Sequence, residues 1–297
     1  MKTLDSGALS NGFVSGVRVL TEGRILKALS QSASGIDVKV MMSGKLLRTR
    51  LAGKLYAGSW SSADCTTLQA ACAATELVHT ASLCHDDVVD NATMRRAAPT
   101  LWQAVGASGA ILIGDLLLCE AMALLMDTDE GRLARGCLTK VTEMAEAEAR
   151  QELLLRCKQM DVETCLQLAR GKTGPLFAFV AGICGGEDEA LCALLEEAGY
   201  RIGTAYQLAD DLMDILGTEC TVGKTLGTDS IRGKYTLPQI GDAGERTARE
   251  SISELCVSAV GLLNDYPQTR EGLVEFLRHD LQPVLEQTLG IETGIAV

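Results

Sequence analysis

Only five prolines occur in the 297 residues: Pro99, Pro175, Pro238, Pro267 and Pro283. Long stretches between them therefore lack the residue least tolerated inside a helix. In those stretches apolar and small residues recur at three- and four-residue steps. Between Asp64 and Asp87, for example, Leu68, Cys72, Thr75, Val78 and Ser82 fall on one helical face. Further helices are expected near 14–30, 108–127, 138–158, 173–184, 188–216, 246–263 and 270–289. Convincing alternating strands are missing, and only 38–40 hints at one. Aromatic residues make up just 4% of the chain, while Ala, Leu and Gly abound, so helix formers outweigh sheet formers. The expectation is an all-α, single-domain helical bundle around a central cavity, spanning 1–297, with a sizeable core from its 47% hydrophobic residues.

One internal echo carries chemistry. Asp86-Asp87-Val88-Val89-Asp90 and Asp210-Asp211-Leu212-Met213-Asp214 share the pattern D-D-x-x-D, and each closes a long apolar helical stretch. Residues four apart lie on one helix face, about 6 Å apart along the axis. Mg²⁺ commonly takes one or two carboxylates and completes its shell with water and substrate phosphate oxygens. One such motif could be a solvated acidic helix end. Two copies argue for metal ligation by Asp86, Asp90, Asp210 and Asp214. Six carboxylates converging without a cation would raise one another's pKa values, so convergence implies a polyvalent cation.

Basic residues suited to phosphate surround these motifs in sequence. Arg95-Arg96 follows the first by five residues, and guanidinium groups bind phosphate bidentately. The plain alternative is ion pairing with the nearby aspartates. Lys45 and Arg48 stand three apart, His79 lies two turns upstream of Asp86, and Lys172-Thr173 precedes the second motif. Gly223 to Pro238 is a glycine-rich stretch carrying Lys224 and Lys234, of the kind that closes over phosphate. The overall charge of -12 disfavours nucleic-acid binding and docking on anionic lipid. Eleven cysteines with no C-x-x-C pair argue against disulfides and structural zinc, and for a reducing, cytoplasmic setting. The most apolar stretch, Ala110 to Met126, is interrupted by Asp115 and Glu120 and reads as a buried core helix, without stable membrane insertion. No Ser/His/Asp or Cys/His arrangement for nucleophilic catalysis stands out.

Taken in order, these pieces resemble the trans-type (head-to-tail) prenyl diphosphate synthases, of the medium- to long-chain polyprenyl kind. The matching residues are Gly44-Lys45-x-x-Arg48, Glu76-Leu77-x-His79, the first aspartate motif with Arg95-Arg96 and Pro99-Thr100, Gly114-Asp115, Lys172-Thr173, Tyr206-Gln207 with the second aspartate motif, Gly223-Lys224 and Gly233-Lys234. The resemblance implies an isoprenoid synthase-like fold and a homodimeric, Mg²⁺-dependent enzyme that condenses an allylic diphosphate with isopentenyl diphosphate. By the same resemblance Arg95, Lys172, Lys224 and Lys234 hold the allylic diphosphate. Lys45, Arg48, His79 and Arg96 hold isopentenyl diphosphate, Thr173 and Gln207 sit near the reacting carbons, and Gln151 matches a family glutamine. Two departures are Thr49, where the family usually has proline, and Ala97, where it usually has glycine. Short-chain members resemble one another in bulky aromatics just before the first motif and often in two extra residues within it. This chain has small Ala81 and Ser82 and no insertion, which implies a product longer than twenty carbons. A terpene cyclase and a non-catalytic subunit of a heteromeric prenyltransferase are the competing readings. The second D-D-x-x-D and the set Lys45, Arg48 and His79 weigh against the first. Both intact motifs weigh against the second.

Overall fold

The computed structural model describes residues 6–30, 36, 41, 44–56, 62–95, 97–128, 131–216 and 233–289. The strand hinted at 38–40, Arg96 and Lys224 lie outside these residues. Among the described residues the chain is all-α, as expected, apart from one two-stranded hairpin. It forms two compact units, Met1–Leu138 with Gly223–Thr225, and Thr139–Val222 with Leu226–Val297.

The first unit contains α1 (Ser6–Ser30), α2 (Leu47–Tyr56), α3 (Ser62–Val89), a hairpin of β1 (Met94–Arg95) and β2 (Ala98–Pro99), and α4 (Leu101–Met126). Its axis is α3, which packs against α4, α1 and α2. The run Ala71-Cys72-Ala73-Ala74 on α3 is wholly buried, because small side chains let neighbouring helices approach on more than one face. Leu68 and Leu77 of α3 and Leu117 and Leu125 of α4 fill the space between, and each fully buried side chain of this size stabilises by about 1.5–3 kcal/mol. By length and composition α4 could cross a membrane. Here only one face of it is buried, through residues such as Ala110, Ile113, Leu117, Ala121 and Leu125, so the buried core helix expected from sequence is realised on that face alone. Its acidic interruption is used, since Glu120 takes Arg24 at 3.2 Å and Lys27 at 2.8 Å from α1. Burial alone would raise the pKa of Glu120, but these two cations hold it below the ordinary value. Gly106, at φ 75°, breaks the helical path, so the regular part of α4 starts near the 108 expected from sequence.

Helix α5 (Arg132–Ala149) leads from the first unit into the second and ends in a π turn, Arg150–Leu154. There follow α6 (Val162–Ile183), α7 (Glu189–Leu216), two 3₁₀ turns (Leu237–Gln239 and Gly241–Ala243), α8 (Gly244–Gly261), α9 (Pro267–Phe276), a second π turn (Leu277–Leu281) and α10 (Gln282–Leu289). Helices α6 and α7 make the closest pair. A methyl group added at Gly203 would stand 2.6 Å from Cα of Gly174, so the two backbones touch there. Phe177, Leu195, Ile202 and Leu208 complete this core, and α8 covers α7 with Ile252, Cys256 and Ala259.

Several helix boundaries differ from the sequence reading. Helix α1 starts at Ser6 rather than near 14, and α5 at Arg132 rather than near 138. Helix α6 starts at Val162 rather than near 173, because Asp161 caps it by accepting the Thr164 N–H at 2.8 Å and the helix runs on through Pro175. The helix expected over 138–158 turns into the π turn at 150, and the one expected over 270–289 is interrupted by the π turn at 277–281. Helix α2 and the hairpin were not expected, being too short to show a period.

Candidate active site

In the first unit, α3 carries Glu76, His79, Asp86 and Asp87 along its length, with Asp90 just past its end. Asp86, Asp90 and His79 are half-buried. Glu76 is buried and fixes α2: its Oε1 accepts the Thr49 hydroxyl at 2.7 Å and the Thr49 N–H at 3.4 Å. A proline at 49 could give neither bond, so Thr49 replaces a rigid residue with a tether. On α2 and just before it, Arg48 is buried and Lys45 exposed. Between them Leu46 sits at φ 52°, a left-handed conformation costly for a side chain with a Cβ.

The hairpin folds the chain back onto the end of α3. Its base is clasped at the Ala92 carbonyl, which accepts Thr100 Oγ1 at 2.8 Å and Trp102 Nε1 at 2.6 Å. This places Arg95 against buried Asp87, with both Nε and one terminal nitrogen 2.8 Å from Oδ1. Arg95, expected to hold diphosphate, is thus paired within the first aspartate motif. Ala97 occupies the hairpin turn at φ 58°.

In the second unit a small polar cleft is lined by Gln151, Cys165, Lys172, Gln207, Asp211, Tyr235 and Thr236. Two hydrogen-bonded groups meet there. In the first, Thr173 Oγ1 donates to Gln207 Oε1 at 2.5 Å, and Gln207 Nε2 donates to Asp211 Oδ1 at 2.8 Å. The row links α6 to the second aspartate motif on α7. In the second group, Lys172 Nζ donates to Gln151 Oε1 at 2.8 Å and reaches Glu148 Oε2 at 2.8 Å. Lys234 Nζ reaches the other oxygen of the same carboxylate at 3.1 Å. Burial would raise the pKa of Glu148, yet Lys172 and Lys234 bring it down to about 2. The Cys165 thiol is pushed up to about 12, by burial first and by Asp211 second, so it is no nucleophile. Asp211 and Asp214 are buried and Asp210 half-buried.

The donor set fits a hard divalent cation. It consists of carboxylates, and among the described residues no three Asp, Glu, His or Cys side chains gather into a closed cage. An ion that keeps water and phosphate oxygens in its shell needs no such cage.

Residues 33–258 match the sequence profile of the family described as polyprenyl synthetase. The chain belongs to this family. It is 38% identical over 168 residues to the all-trans-nonaprenyl-diphosphate synthase (geranyl-diphosphate specific) of Rhodobacter capsulatus, covering 56% of this chain and 51% of that one. It is 36% identical over 194 residues to the geranylgeranyl diphosphate synthase of Mycobacterium tuberculosis, covering 62% and 54%. The chain thus spans about half the length of these relatives. Among solved structures, the polyprenyl synthase from Caulobacter crescentus CB15, complexed with calcium and isoprenyl diphosphate, superimposes with a TM-score of 0.74 at 26% identity, over 93% of this chain and 98% of that one.

For this member of the family, sequence reasoning placed Lys172, Thr173, Gln207 and Lys234, and the structure brings them into one unit in hydrogen-bonded groups. Lys45, Arg48, His79, Asp86, Asp90 and Arg95 lie in the other unit. Sequence reasoning passed over Glu148. The acid stands three residues before Gln151, on the same helical face, but Glu143, Glu146 and Glu152 surround it and hide that spacing.

Proposed function

We propose that this chain condenses an allylic diphosphate with isopentenyl diphosphate into a longer trans-polyprenyl diphosphate, and that residues 1–297 act as one synthase domain. The observation that carries the reading is the pairing of Lys172 and Lys234 at one point beside the row Thr173–Gln207–Asp211. Two cations fixed together suit a polyanionic leaving group. Lys172 and Lys234, with Arg95 and Lys224, hold the allylic diphosphate; Lys45, Arg48, His79 and Arg96 hold isopentenyl diphosphate. Asp86, Asp90, Asp210 and Asp214 would hold Mg²⁺, which when bound supplies positive charge that offsets the departing diphosphate. Thr173 and Gln207 offer a hydroxyl and an amide oxygen to the carbon skeleton while positive charge develops on it. The allylic C–O bond ionises to an allylic cation and diphosphate, and the isopentenyl double bond then attacks the cation. The proton then lost goes to the departed diphosphate, so no protein base is required.

The same proposal includes a homodimer and residence in the cytoplasm. Support for a dimer comes from α4, which exposes Ile111, Leu112 and Met126. It also includes a product longer than twenty carbons, supported by small Ala81 and Ser82 one turn before Asp86.

The test is condensation by the purified chain with Mg²⁺, labelled isopentenyl diphosphate and allylic primers of increasing length. Asp86→Ala and Asp210→Ala should each lower turnover by about two orders of magnitude or more while the fold survives. Ala81→Tyr should shorten the main product by one isoprene unit or more. No condensation with any primer overturns the reading. Hydrocarbon released from an allylic diphosphate alone would mark a cyclase, and activity only with a second protein would mark a subunit.

A further inference from the structure

We propose that Glu148 is a positioning residue, whose carboxylate sets where both diphosphate-binding lysines stand. The inference rests on the reading above, in which Lys172 and Lys234 take the allylic diphosphate.

The two lysines come from separate stretches of chain. Lys172 lies in the middle of α6, and Lys234 lies just before the first 3₁₀ turn. Glu148, in the last turn of α5, gives one oxygen to each, at 2.8 Å and 3.1 Å. The Lys234 side chain is only 3% exposed, so removing the carboxylate would leave a buried ammonium group short of a counter-charge. This separates the arrangement from an ordinary surface ion pair, which holds little in place. The neighbouring backbone is fixed independently, since Cys157 N–H donates to the Gly233 carbonyl at 2.7 Å. The stem of Lys234 is therefore anchored, and the bond to Glu148 holds its ammonium group on the side facing Lys172. Lys172 is aimed by the same carboxylate and by Gln151. The low pKa of Glu148 agrees with this geometry, since the carboxylate stays charged at any pH at which the enzyme could work.

Two other roles for Glu148 predict different outcomes. If it merely competes with substrate for the lysines, removing its charge should tighten the allylic diphosphate. If it is only a structural ion pair, stability should fall and substrate affinity should not change. A positioning role predicts weaker binding of the allylic substrate alone.

The experiment compares the full chain with Glu148→Gln, which keeps the shape and loses the charge, and Glu148→Asp, which is too short to reach both lysines. With Glu148→Gln, KM for the allylic diphosphate should rise about tenfold or more, while KM for isopentenyl diphosphate stays within about twofold. Glu148→Asp should fall between Glu148→Gln and wild type, and it carries the kinetic test alone if Glu148→Gln does not fold. A second readout is acylation of lysines by an amine-specific reagent, followed by mass spectrometry. Lys234 should be protected in the wild type and should label faster in Glu148→Gln. An unchanged or lowered allylic KM overturns the proposal, as does unchanged labelling. If the wild type condenses nothing, the prenyltransferase reading fails, and the labelling alone decides whether Glu148 places the two lysines.

Discussion

Gly203→Ala is the substitution whose effect follows most directly from the structure. The added methyl carbon would stand 2.6 Å from Gly174 Cα, 2.9 Å from Gly174 N and 2.9 Å from the Thr173 carbonyl oxygen. Carbon contacts relax at about 3.5–4.0 Å, so α6 and α7 must separate by about 1 Å. All three neighbours are backbone atoms, so no rotamer change can absorb the clash. Overpacking of this kind costs about 1–3 kcal/mol, or roughly 2–12 °C in melting temperature for a chain of this size. The shift falls on the residue that matters for the proposed chemistry. Thr173 Oγ1 and Gln207 Oε1 are 2.5 Å apart, and a further 1 Å or so would break that hydrogen bond. A misplacement of this size lowers kcat/KM by about a hundredfold. The assay pairs a thermal melt with condensation kinetics on the same preparation. Gly174→Ala is the control. Its methyl would meet one side-chain atom, Tyr200 Cδ1, at 2.8 Å and Tyr200 backbone only at 3.4 and 3.5 Å, so a single ring, held by Lys140 and Arg170, must give rather than two backbones, and the effect should be milder. Wild-type melting and kinetics in Gly203→Ala would refute the backbone contact. A worse result for Gly174→Ala would refute the distinction between yielding and unyielding neighbours.

Two further outcomes follow from single positions. Ala97→Gly should stabilise the protein by about 0.5–1 kcal/mol in denaturant titration, because the left-handed turn costs an alanine about 1–2 kcal/mol and glycine's greater freedom when unfolded offsets only part of the gain; a loss of stability would mean that the turn does not adopt that conformation. Glu148 has its pKa lowered from 4.5 to about 2, so its contribution to stability is present above 4.5 and lost as pH falls towards 2. The stability advantage of wild type over Glu148→Gln should therefore shrink across that window in acid titrations, and a gap that stays constant would count against the pairing.

The long elements were legible in the sequence because their apolar period repeats over many turns. That applies to α3 and α7, whose ends carry the two aspartate motifs. What escaped notice was local. Helix α2 has ten residues, too few for a period, and it is held by long-range contacts, among them the bond pair from Thr49 to Glu76 and the packing of Tyr56 on Phe13. The start of α6 was placed eleven residues late, near 173, whereas the helix begins after the Asp161 cap and runs through Pro175. At the site, the lysines could be named from their order along the chain, but their common partner could not. Glu148 is one acid among several on α5, and its meaning depends on Lys172 and Lys234, which are 24 and 86 residues away in sequence. For Arg95 the sequence left substrate binding and pairing with the nearby aspartates both open, and the choice of Asp87 depends on a hairpin of two-residue strands that no periodicity reveals.

A π turn is an α-helix with one residue too many, and the turn at Arg150–Leu154 uses that surplus. Within it Gln151 points inward, while Leu153 and Leu154 face outward at 77% and 62% exposure. The helix does not resume beyond it: the chain bends at Leu155 and turns through Cys157, whose N–H holds the Gly233 carbonyl. Deleting one residue here would take the surplus out of the turn and shorten the path from Glu148 to Cys157 by one residue. The number of residues between Glu148 and Cys157 therefore sets the spacing of two anchors for the Lys234 segment. A change in length here would draw one anchor away from the other.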